Sequence, residues 1–249
     1  MKLRIGNLRY FVEHHALGLE IASEIVERLQ NEGKTSIVIA QMVNGAAHLL
    51  GVMAFADVVR EGLQDDLITI GLEANCNDLL GMLAGLKYDA DGNARRVGLV
   101  FIDAHGDFNT PETTLSGMLG GMPVAVAAGH ALHNLRKTAG LAEPLPMSDI
   151  VWGGVRDLDP LEADRFDEYD AQQFSVQDIR ELSADLKKQM DDLADRVDVI
   201  YVHIDMDVLD AAEVPGHDLA VADGPSSKDL AAAIALMFEN PKTVALGIA

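Results

Sequence analysis

Short apolar runs alternate with longer segments of helical periodicity along most of the chain. Predicted strands are runs of roughly four to eight apolar, often β-branched residues, and they cover residues 2–6, 35–40, 67–72, 97–102, 149–155, 197–204 and 244–248. Predicted helices repeat apolar positions at intervals of roughly three or four residues, and they cover residues 17–29, 46–63, 79–87, parts of 117–139, 160–169, 176–196 and 227–239.

Strands and helices follow one another in turn, and most predicted strands have no polar face. This pattern is typical of parallel strands that are buried on both faces and joined by right-handed helical crossovers. The sequence therefore predicts an α/β fold, a three-layer αβα sandwich with a mostly parallel sheet. No linker divides residues 1–249, so we expect a single domain. The last strand ends at Ala249, which leads to the hypothesis that the chain is truncated at its C-terminus.

Two of the predicted strands run directly into clusters of metal-ligating side chains. These are Asp103, His105 and Asp107 after one strand, and Asp205, Asp207 and Asp210 after the other. If the backbone stays extended, alternate residues point to one side, and parallel strands end at one edge of the sheet. Carboxylates bind hard divalent cations and imidazole suits transition metals, so the two clusters predict a shared site for Mn, Zn or Fe.

Composition narrows the classes of partner. The chain has 19 Lys and Arg against 40 Asp and Glu, a formal charge of −21, which argues against nucleic acids and anionic membranes because phosphates would be repelled. A single cysteine excludes an intrachain disulfide and favours a reducing, cytoplasmic compartment. No secretory signal is visible, and no apolar run reaches the roughly 18 residues of a membrane span. We expect a soluble protein.

At this point the motifs resemble those of a known family. The segment DAHGDFNTPETTLSG, residues 103–117, is similar to the second metal motif of the arginase/ureohydrolase family, and residues 205–210 resemble its D-x-D-x-x-D motif. The resemblance extends from about residue 65 to the end of the chain. It implies an αβα fold that holds two Mn ions, whose shared hydroxide attacks the central carbon of a guanidinium group.

The resemblance also assigns ligands. It implies that Asp103 and Asp205 bridge the two ions, that Asp107 completes the first ion's set, and that His105 and Asp207 complete the second's. Among these, Asp107, Asp205 and His105 are the expected catalytic residues.

One family ligand is replaced in this chain. The family's first metal motif carries a histidine that binds the first ion, and the matching position here is Cys76. A free cysteine is most often a small buried hydrophobe. This cysteine, however, lies between a predicted strand and a predicted helix N-terminus, where a thiolate is favoured. The alternatives are that Cys76 ligates the first ion, softening the site toward Zn or Fe, or that the first ion is weakly held.

Substrate-binding residues are implied in the same way. The positions that hold the α-carboxylate of the substrate in arginases are Asn109, Thr114 and Ser116, and those near its α-ammonium are Asp159 and Glu162. Neutral donors at one point and carboxylates at another suit a zwitterionic amino acid. A diamine such as agmatine would leave the first set unpaired, which is costly.

Other family positions are changed or missing. Met118 replaces an asparagine that helps to hold the carboxylate, and Gly120 replaces the proton-shuttling histidine, for which His130, His133 or His217 would have to substitute. The guanidinium-contacting glutamate of the family would follow Ala249. The N-x-C at Cys76 and the L-G-G-M segment after the second motif resemble an arginase-like branch that hydrolyses Nω-hydroxy-L-arginine in D-cycloserine biosynthesis.

The predicted function is therefore a metal-dependent amidinohydrolase acting on L-arginine or hydroxyarginine, giving ornithine and urea or a urea analogue. Its expected partners are a small guanidino substrate and further copies of itself, as a homotrimer or homohexamer. Alternatives are another guanidino substrate and a metal-deficient, non-catalytic binding or assembly subunit. A Mn-dependent glycosyltransferase ranks last, because it would leave the residue 103–107 cluster unexplained and no nucleotide-binding loop is visible.

Overall fold

Eight strands form one parallel sheet. The computed structural model describes the backbone of Arg4–Ile5 and Ile37–Gln41, and residues 56–63, 67–89 and 91–249. The strands are β1 (Arg4–Ile5), β2 (Ile37–Gln41), β3 (Ile68–Leu72), β4 (Val97–Ile102), β5 (Ile150–Gly153), β6 (Gln172–Phe174), β7 (Val199–Ile204) and β8 (Thr243–Ile248). Their order in the sheet is β1-β2-β3-β8-β7-β4-β5-β6, and every pairing between them is parallel. The predicted α/β fold is confirmed.

The described helices connect these strands. They are α1 (residues 56–63), α2 (Leu79–Leu86), α3 (Pro123–Ala127), α4 (His133–Thr138), α5 (Pro160–Glu168), α6 (Val176–Glu181), α7 (Ala184–Arg196) and α8 (Ser227–Met237). The predicted helix at residues 17–29 and the first part of the one at 46–63 lie outside the described residues. Among the helices described here, each is too short or too polar to cross a membrane.

The sheet is covered by apolar side chains on both faces. Leu99 and Phe101 of β4 belong to a core cluster that contains the buried residues of α2 and α3. Val100 and Ile102 belong to a second cluster with the buried residues of α7 and α8. Alternate side chains of one strand therefore enter two different cores, as the period of a strand requires. This arrangement gives three layers, α, β and α.

The register of β4 and β7 places the two acidic clusters side by side at the carboxyl edge of the sheet. Ile102 at the end of β4 pairs with Ile204 at the end of β7. The next residues, Asp103 and Asp205, therefore leave the sheet side by side, and the amide of Asp205 donates to the carbonyl of Ile102 at 2.9 Å. The carboxyl edge of the sheet thus concentrates the candidate ligands, as open parallel sheets commonly do.

The structure corrects two details of the sequence prediction. The strand β6 was not predicted, because it has only three residues, two of them glutamine. The single predicted helix over 176–196 is two helices, because Leu182 adopts the left-handed conformation with φ 49° and ends α6. Ser183 then caps α7, and its hydroxyl accepts the amide hydrogen of Leu186 at 3.1 Å.

This break predicts a measurable contribution from the Ser183 cap. Ser183→Ala removes the acceptor for the Leu186 amide and the hydroxyl that donates to Asp178 at 2.6 Å. We expect the free energy of unfolding to fall by about 1 kcal/mol, the usual value of such a cap. Urea denaturation followed by circular dichroism measures this loss. The control, Ser183→Thr, keeps a hydroxyl and should retain most of the stability; equal losses in both variants would contradict the capping role.

Candidate metal centre

A cleft of about 450 Å³ opens at the carboxyl edge of the sheet. Its floor is formed by residues that directly follow β3, β4 and β7. The floor residues that offer metal-ligating atoms are Cys76, Asp103, His105, Asp107, Asp205 and Asp207. The structure therefore brings all six predicted metal ligands to one cleft. Asp210, the last residue of the D-x-D-x-x-D motif, is not among the residues lining the cleft.

Three of these side chains form one compact ligand group. The Nδ1 atom of His105 lies 3.3 Å from an oxygen of Asp103 and 3.2 Å from an oxygen of Asp207. One donor atom from each residue lies within 4.8 Å of the others. Both carboxylates are buried, whereas His105 is half-buried, so the group faces the cleft rather than the solvent.

A second group adjoins the first and shares Asp103 with it. Donor atoms of Cys76, Asp103 and Asp107 also lie within 4.8 Å of one another. The thiol of Cys76 donates a hydrogen bond to Asp205 at 2.8 Å, and Asp205 in turn accepts the backbone amide of Asp207 at 2.9 Å. Two adjacent cation-binding groups thus share a buried carboxylate, and Asp205 links the second group to the chain segment of the first.

The backbone between Asp103 and Asp107 is not extended. Strand alternation would have brought these side chains together only if it were, but the chain bends at residues 104–105, and Asp107 has a φ of 47°. Gly106 allows this bend to pack closely, because a Cβ there would lie 2.7 Å from Phe166 and 2.8 Å from Glu162. The condition of an extended backbone is therefore not met. The three side chains converge through a turn and not through strand alternation.

Crowding of carboxylates dominates the electrostatics of the floor. Burial first, and then the charges of neighbouring carboxylates, raise the pKa of Asp103, Asp107 and Asp205 above the usual range. Burial acts in the same direction on Asp207, but its hydrogen bond with His105 leaves the pKa of Asp207 lowered. Burial alone would lower the pKa of His105, yet its bonds to the two aspartates raise it to about 11. The floor of the cleft therefore favours protonated side chains and would attract cations.

The donor chemistry fits divalent cations. Each ligand group supplies at least one carboxylate oxygen, and one group adds an imidazole nitrogen while the other adds a sulfur atom. Oxygen and nitrogen donors suit Mn, and the sulfur shifts the preference of its group toward Zn or Fe. A bound cation would also relieve the repulsion that raises the pKa values of the aspartates. The residues present thus fit a two-ion centre.

Cys76 occupies an unfavourable place for a thiolate. Burial is the largest cause that raises the pKa of its thiol well above the usual value, followed by the charges of Asp205, Asp107 and Asp103. The residue opens a 3₁₀-helical turn, Cys76–Asp78, ahead of α2. The expectation that a helix N-terminus favours the thiolate is therefore not met, because burial and the nearby carboxylates raise the pKa of the Cys76 thiol. A cation is needed to make Cys76 a charged ligand.

One wall of the cleft holds most of the predicted substrate-binding residues. Asn109, Ser116, Asp159 and Glu162 all line it. The side-chain amide of Asn109 donates to Asp159 at 3.1 Å and accepts the hydroxyl hydrogen of Thr113 at 2.8 Å. Asn109 and Asp159 are thus already held as a pair at the wall.

Two predicted substrate-binding residues are committed to the local structure. Thr114 is not among the residues lining the cleft, and its hydroxyl accepts the amide of Gly117 at 3.0 Å. Both oxygens of Glu162 accept backbone amides, from Phe108 at 2.7 Å and from Asp159 at 3.4 Å. The second of these bonds belongs to a capping box at the start of α5. Glu162 therefore braces the wall, which also bears the half-buried carboxylate of Asp159.

The mouth of the cleft contains residues that were not predicted as site residues. Leu115, Met118 and Leu219 line it with large apolar side chains that are 74%, 52% and 48% exposed. Asp157 also lines it, 3.9 Å from Nε2 of His105. Met118 was noted in the sequence as the replacement of a family asparagine, but Leu115 and Leu219 had no signal beyond being apolar, and an isolated exposed leucine is too common to be informative.

The structure distinguishes the three histidines that were considered as replacements for the proton shuttle. Of these three, only His217 lines the cleft. His130 packs against the rings of Phe108 and Tyr169, with centroid distances of 5.4 and 4.5 Å. Nδ1 of His217 accepts the amide of Leu219 at 3.3 Å, so Nε2 carries the proton of the neutral ring.

A parallel α/β sheet with two adjoining groups of possible metal ligands at its carboxyl edge is compatible with the class of α/β hydrolases that use metal ions. Comparison with known proteins narrows this class. Residues 53–249 match the Arginase family, and the chain belongs to that family of hydrolases.

Individual relatives agree with this assignment. The chain is 27% identical to the arginase of Bacillus caldovelox over 238 residues, which cover 95% of this chain and 76% of that protein. It is 32% identical to the arginase of Entamoeba histolytica over 166 residues, which cover 66% of this chain and 54% of that protein. The alignments thus span from 54% to 76% of these relatives' lengths.

The fold agrees as well. The crystal structure of the arginase from Bacillus subtilis superposes with a TM-score of 0.76 at 25% identity, covering 96% of this chain and 85% of that one. The three-dimensional likeness therefore includes nearly the whole chain.

The environment of Cys76 predicts the effect of restoring a histidine. Cys76→His supplies a ligand that binds as a neutral ring, whereas the thiol must first lose a proton that burial and three carboxylates retain. We expect the affinity for the first Mn ion to rise about tenfold. Calorimetric titration of the metal-depleted protein with Mn measures the affinity and the number of ions.

Cys76→Ala is the matched control, because it removes the ligand atom without replacing it. This variant should lose the first ion while keeping the one bound near His105. If all three proteins bind two ions with equal affinity, Cys76 does not contact the first ion.

Proposed function

We propose that the chain is an amidinohydrolase that cleaves a guanidino C–N bond of L-arginine or Nω-hydroxy-L-arginine. The products are ornithine and urea, or hydroxyurea from the second substrate. The observation that carries the proposal is the convergence of the two ligand groups, which share Asp103, in a cleft whose wall bears Asn109 and Asp159. Membership of the Arginase family supports the reaction class.

The proposed cofactor is a pair of Mn ions. Cys76, Asp103 and Asp107 would hold the first ion and Asp103, His105 and Asp207 the second, with Asp205 as a further bridge. Such ions lower the pKa of a shared water molecule so that it is a nucleophile at neutral pH. Because Cys76 supplies sulfur where the family has a histidine nitrogen, the first site would differ from that of the family in its preferred metal and in its affinity.

The reaction needs one water molecule and moves both of its protons. For L-arginine, the oxygen of water adds to the central guanidino carbon, the bond from that carbon to the side-chain nitrogen breaks, and the leaving nitrogen takes up the two water protons to depart as the ammonium group of ornithine. In the proposed arrangement the acidic floor attracts the cationic guanidinium group and orients its carbon. His217 is the proposed carrier of protons to the leaving nitrogen, because it is the one of the three candidate histidines that lines the cleft.

The wall supports recognition of an amino acid. Asp159 is the proposed partner of the α-ammonium group, and the hydroxyl of Ser116 and the amide of Asn109 are the proposed partners of the α-carboxylate. Thr114 would act through Ser116, whose hydroxyl lies 3.4 Å from its own. Glu162 would act by holding Asp159. Neutral donors opposite a carboxylate suit a zwitterion, and each unpaired group would cost affinity.

Two residues favour the hydroxylated substrate over L-arginine. Cys76 alters the first ion, and Gly120 replaces the shuttle histidine of the family. A hydroxyguanidine is less basic than a guanidine, so its cleavage requires less help with protonation. Agmatine is the second candidate substrate, because the apolar side chain of Met118 at the mouth of the cleft suits a ligand without a carboxylate.

The setting of the enzyme is proposed on the same basis. A single cysteine and the charge of −21 support a cytoplasmic enzyme that acts on a small guanidino compound. Assembly into a homotrimer or homohexamer is proposed from the resemblance of its motifs to the arginase/ureohydrolase family.

The test measures urea and hydroxyurea release by Mn-loaded protein from L-arginine, Nω-hydroxy-L-arginine and agmatine. We expect the hydroxylated substrate to have the highest kcat/KM. Asp205→Asn should lower the activity by about 100-fold or more, because several kcal/mol of charge stabilisation is lost. Asp210→Asn is the matched control, since Asp210 lies in the same motif but outside the cleft lining, and it should stay active.

Each outcome of the assay identifies one function. Activity on L-arginine alone would identify an ordinary arginase, and activity on agmatine alone would contradict recognition of a zwitterion. Absence of product from all three substrates, with two ions bound, would contradict the proposal and favour a non-catalytic binding subunit.

Met118 provides a separate test of carboxylate recognition. Met118→Asn adds a neutral donor at the mouth, and a hydrogen bond to a charged group contributes about 1.5 kcal/mol or more. We therefore expect KM for L-arginine to fall about tenfold, as measured by steady-state kinetics. KM for agmatine, which has no carboxylate, should not change. Leu219→Asn, a change of another apolar rim residue, is the control variant; if it lowers KM equally, the effect is one of rim polarity only.

A further inference from the structure

Three polar side chains form a completely buried cluster behind the metal centre. Glu73, Tyr201 and His203 each have 0% exposed surface. The hydroxyl of Tyr201 donates to an oxygen of Glu73 at 2.8 Å and lies 2.8 Å from Nδ1 of His203. That nitrogen lies 3.2 Å from the other oxygen of Glu73. Burying three polar side chains is costly unless they are bonded to one another, as they are here.

The cluster joins two strands that are not neighbours in the sheet. Glu73 directly follows β3, whereas Tyr201 and His203 belong to β7, and β8 lies between these strands. The contact passes over Gly247 of β8, where a Cβ atom would collide with both the Tyr201 hydroxyl and the Glu73 carboxylate. Gly247 is therefore required for the contact. The ring of His203 is fixed further by parallel stacking on Phe101, at a centroid distance of 5.0 Å.

Both strands joined by the cluster carry a metal-centre residue just beyond it. Cys76 follows Glu73 by three residues, and Asp205 follows His203 by two. The intervening loop is rigid at its base, because the amide of Glu73 donates to the carbonyl of Ile248 at 2.7 Å. The amide of Ala74 donates to the carboxylate of Asp78 at 2.9 Å. The separation between Cys76 and Asp205 is thus set by where Glu73 meets β7.

We propose that Glu73, Tyr201 and His203 are positioning residues for the metal centre: their bonded cluster holds the Cys76 loop against the strand that carries Asp205 and sets the affinity for the first ion. The cluster does not reach the substrate and takes no part in the chemical step. Residues that orient metal ligands from behind commonly change metal affinity by 10- to 100-fold. This inference rests on the proposed metal centre, and its effect falls on the ion near Cys76.

The test is binding of Co²⁺ to the metal-depleted full chain. A cysteine thiolate bound to Co²⁺ gives a near-ultraviolet charge-transfer band, which reports directly on the ion that contacts Cys76. Tyr201→Phe removes only the hydroxyl that joins the three residues. We expect the Co²⁺ concentration at half-maximal band intensity to rise about tenfold, while the ion near His105 binds with unchanged affinity.

The matched control is Thr243→Val. Thr243 is a buried residue at the start of β8, away from the cleft, and its hydroxyl donates to the carbonyl of Met237 at 2.8 Å. Both variants lose one buried hydroxyl, and both are expected to lower the melting temperature. Only Tyr201→Phe is expected to weaken the charge-transfer band. If Tyr201→Phe does not fold, Glu73→Gln is measured in its place, because it keeps the shape of the side chain and removes its charge.

The outcomes separate this inference from the proposed function. Equal Co²⁺ titrations for wild type, Tyr201→Phe and Thr243→Val would overturn the positioning role, even if the wild type releases hydroxyurea. Weaker Co²⁺ binding in Tyr201→Phe alone would support the role, even if the wild type cleaves no guanidino substrate. A wild type that shows no thiolate band would overturn the inference, because Cys76 would then not contact an ion.

Discussion

The structure depends on holding several carboxylates together against their mutual repulsion. Asp103, Asp107, Asp205 and Asp207 meet in a cleft where burial strengthens the repulsion between like charges. The register of β4 with β7 enforces this meeting, since Ile102 and Ile204 are paired partners. That register is in turn fixed by apolar side chains packed on both faces of the sheet. The two cores thus stabilise an arrangement that its own charges oppose.

The opposing charges make this group of side chains suited to a cation. The histidine is held between two aspartates and remains strongly basic, with a pKa of about 11, and the thiol is held by a third aspartate. In each of these hydrogen bonds, a hydrogen lies between two atoms that could both bind a metal ion. A divalent cation replaces such hydrogens with a charge that several carboxylates share. The wall of the cleft presents a neutral amide, from Asn109, beside a carboxylate, from Asp159.

Much of the fold and the centre follows from the sequence because the responsible signals are local. Apolar runs locate β4 and β7 to within two residues, and the ligands that follow them are adjacent in sequence. The wall was partly predictable for the same reason, since Asp159 and Pro160 mark the start of α5. The assignment of Cys76 required a family motif, because nothing local to Cys76 indicates a partner on β7.

Features set by long-range packing were not predictable. Leu182 breaks a helix although neither glycine nor proline is present there, and Asp107 adopts a left-handed conformation that its sequence does not demand. Leu115 and Leu219 reach the mouth of the cleft from loops whose paths depend on the rest of the molecule. The contact of Glu73 with Tyr201 passes over an intervening strand. No periodicity reports such a contact.

The thiol of Cys76 makes cation uptake a reaction that releases hydrogen ions. In the structure this thiol keeps its hydrogen, which it donates to Asp205, and its pKa lies well above the usual value. A metal ion must displace that hydrogen, and with it any held by the neighbouring aspartates of raised pKa. Acidification would therefore compete with a metal ion for the same donor atoms. The acidity of the surroundings would then be a second variable, beside metal supply, that sets how much of the protein carries an ion at Cys76.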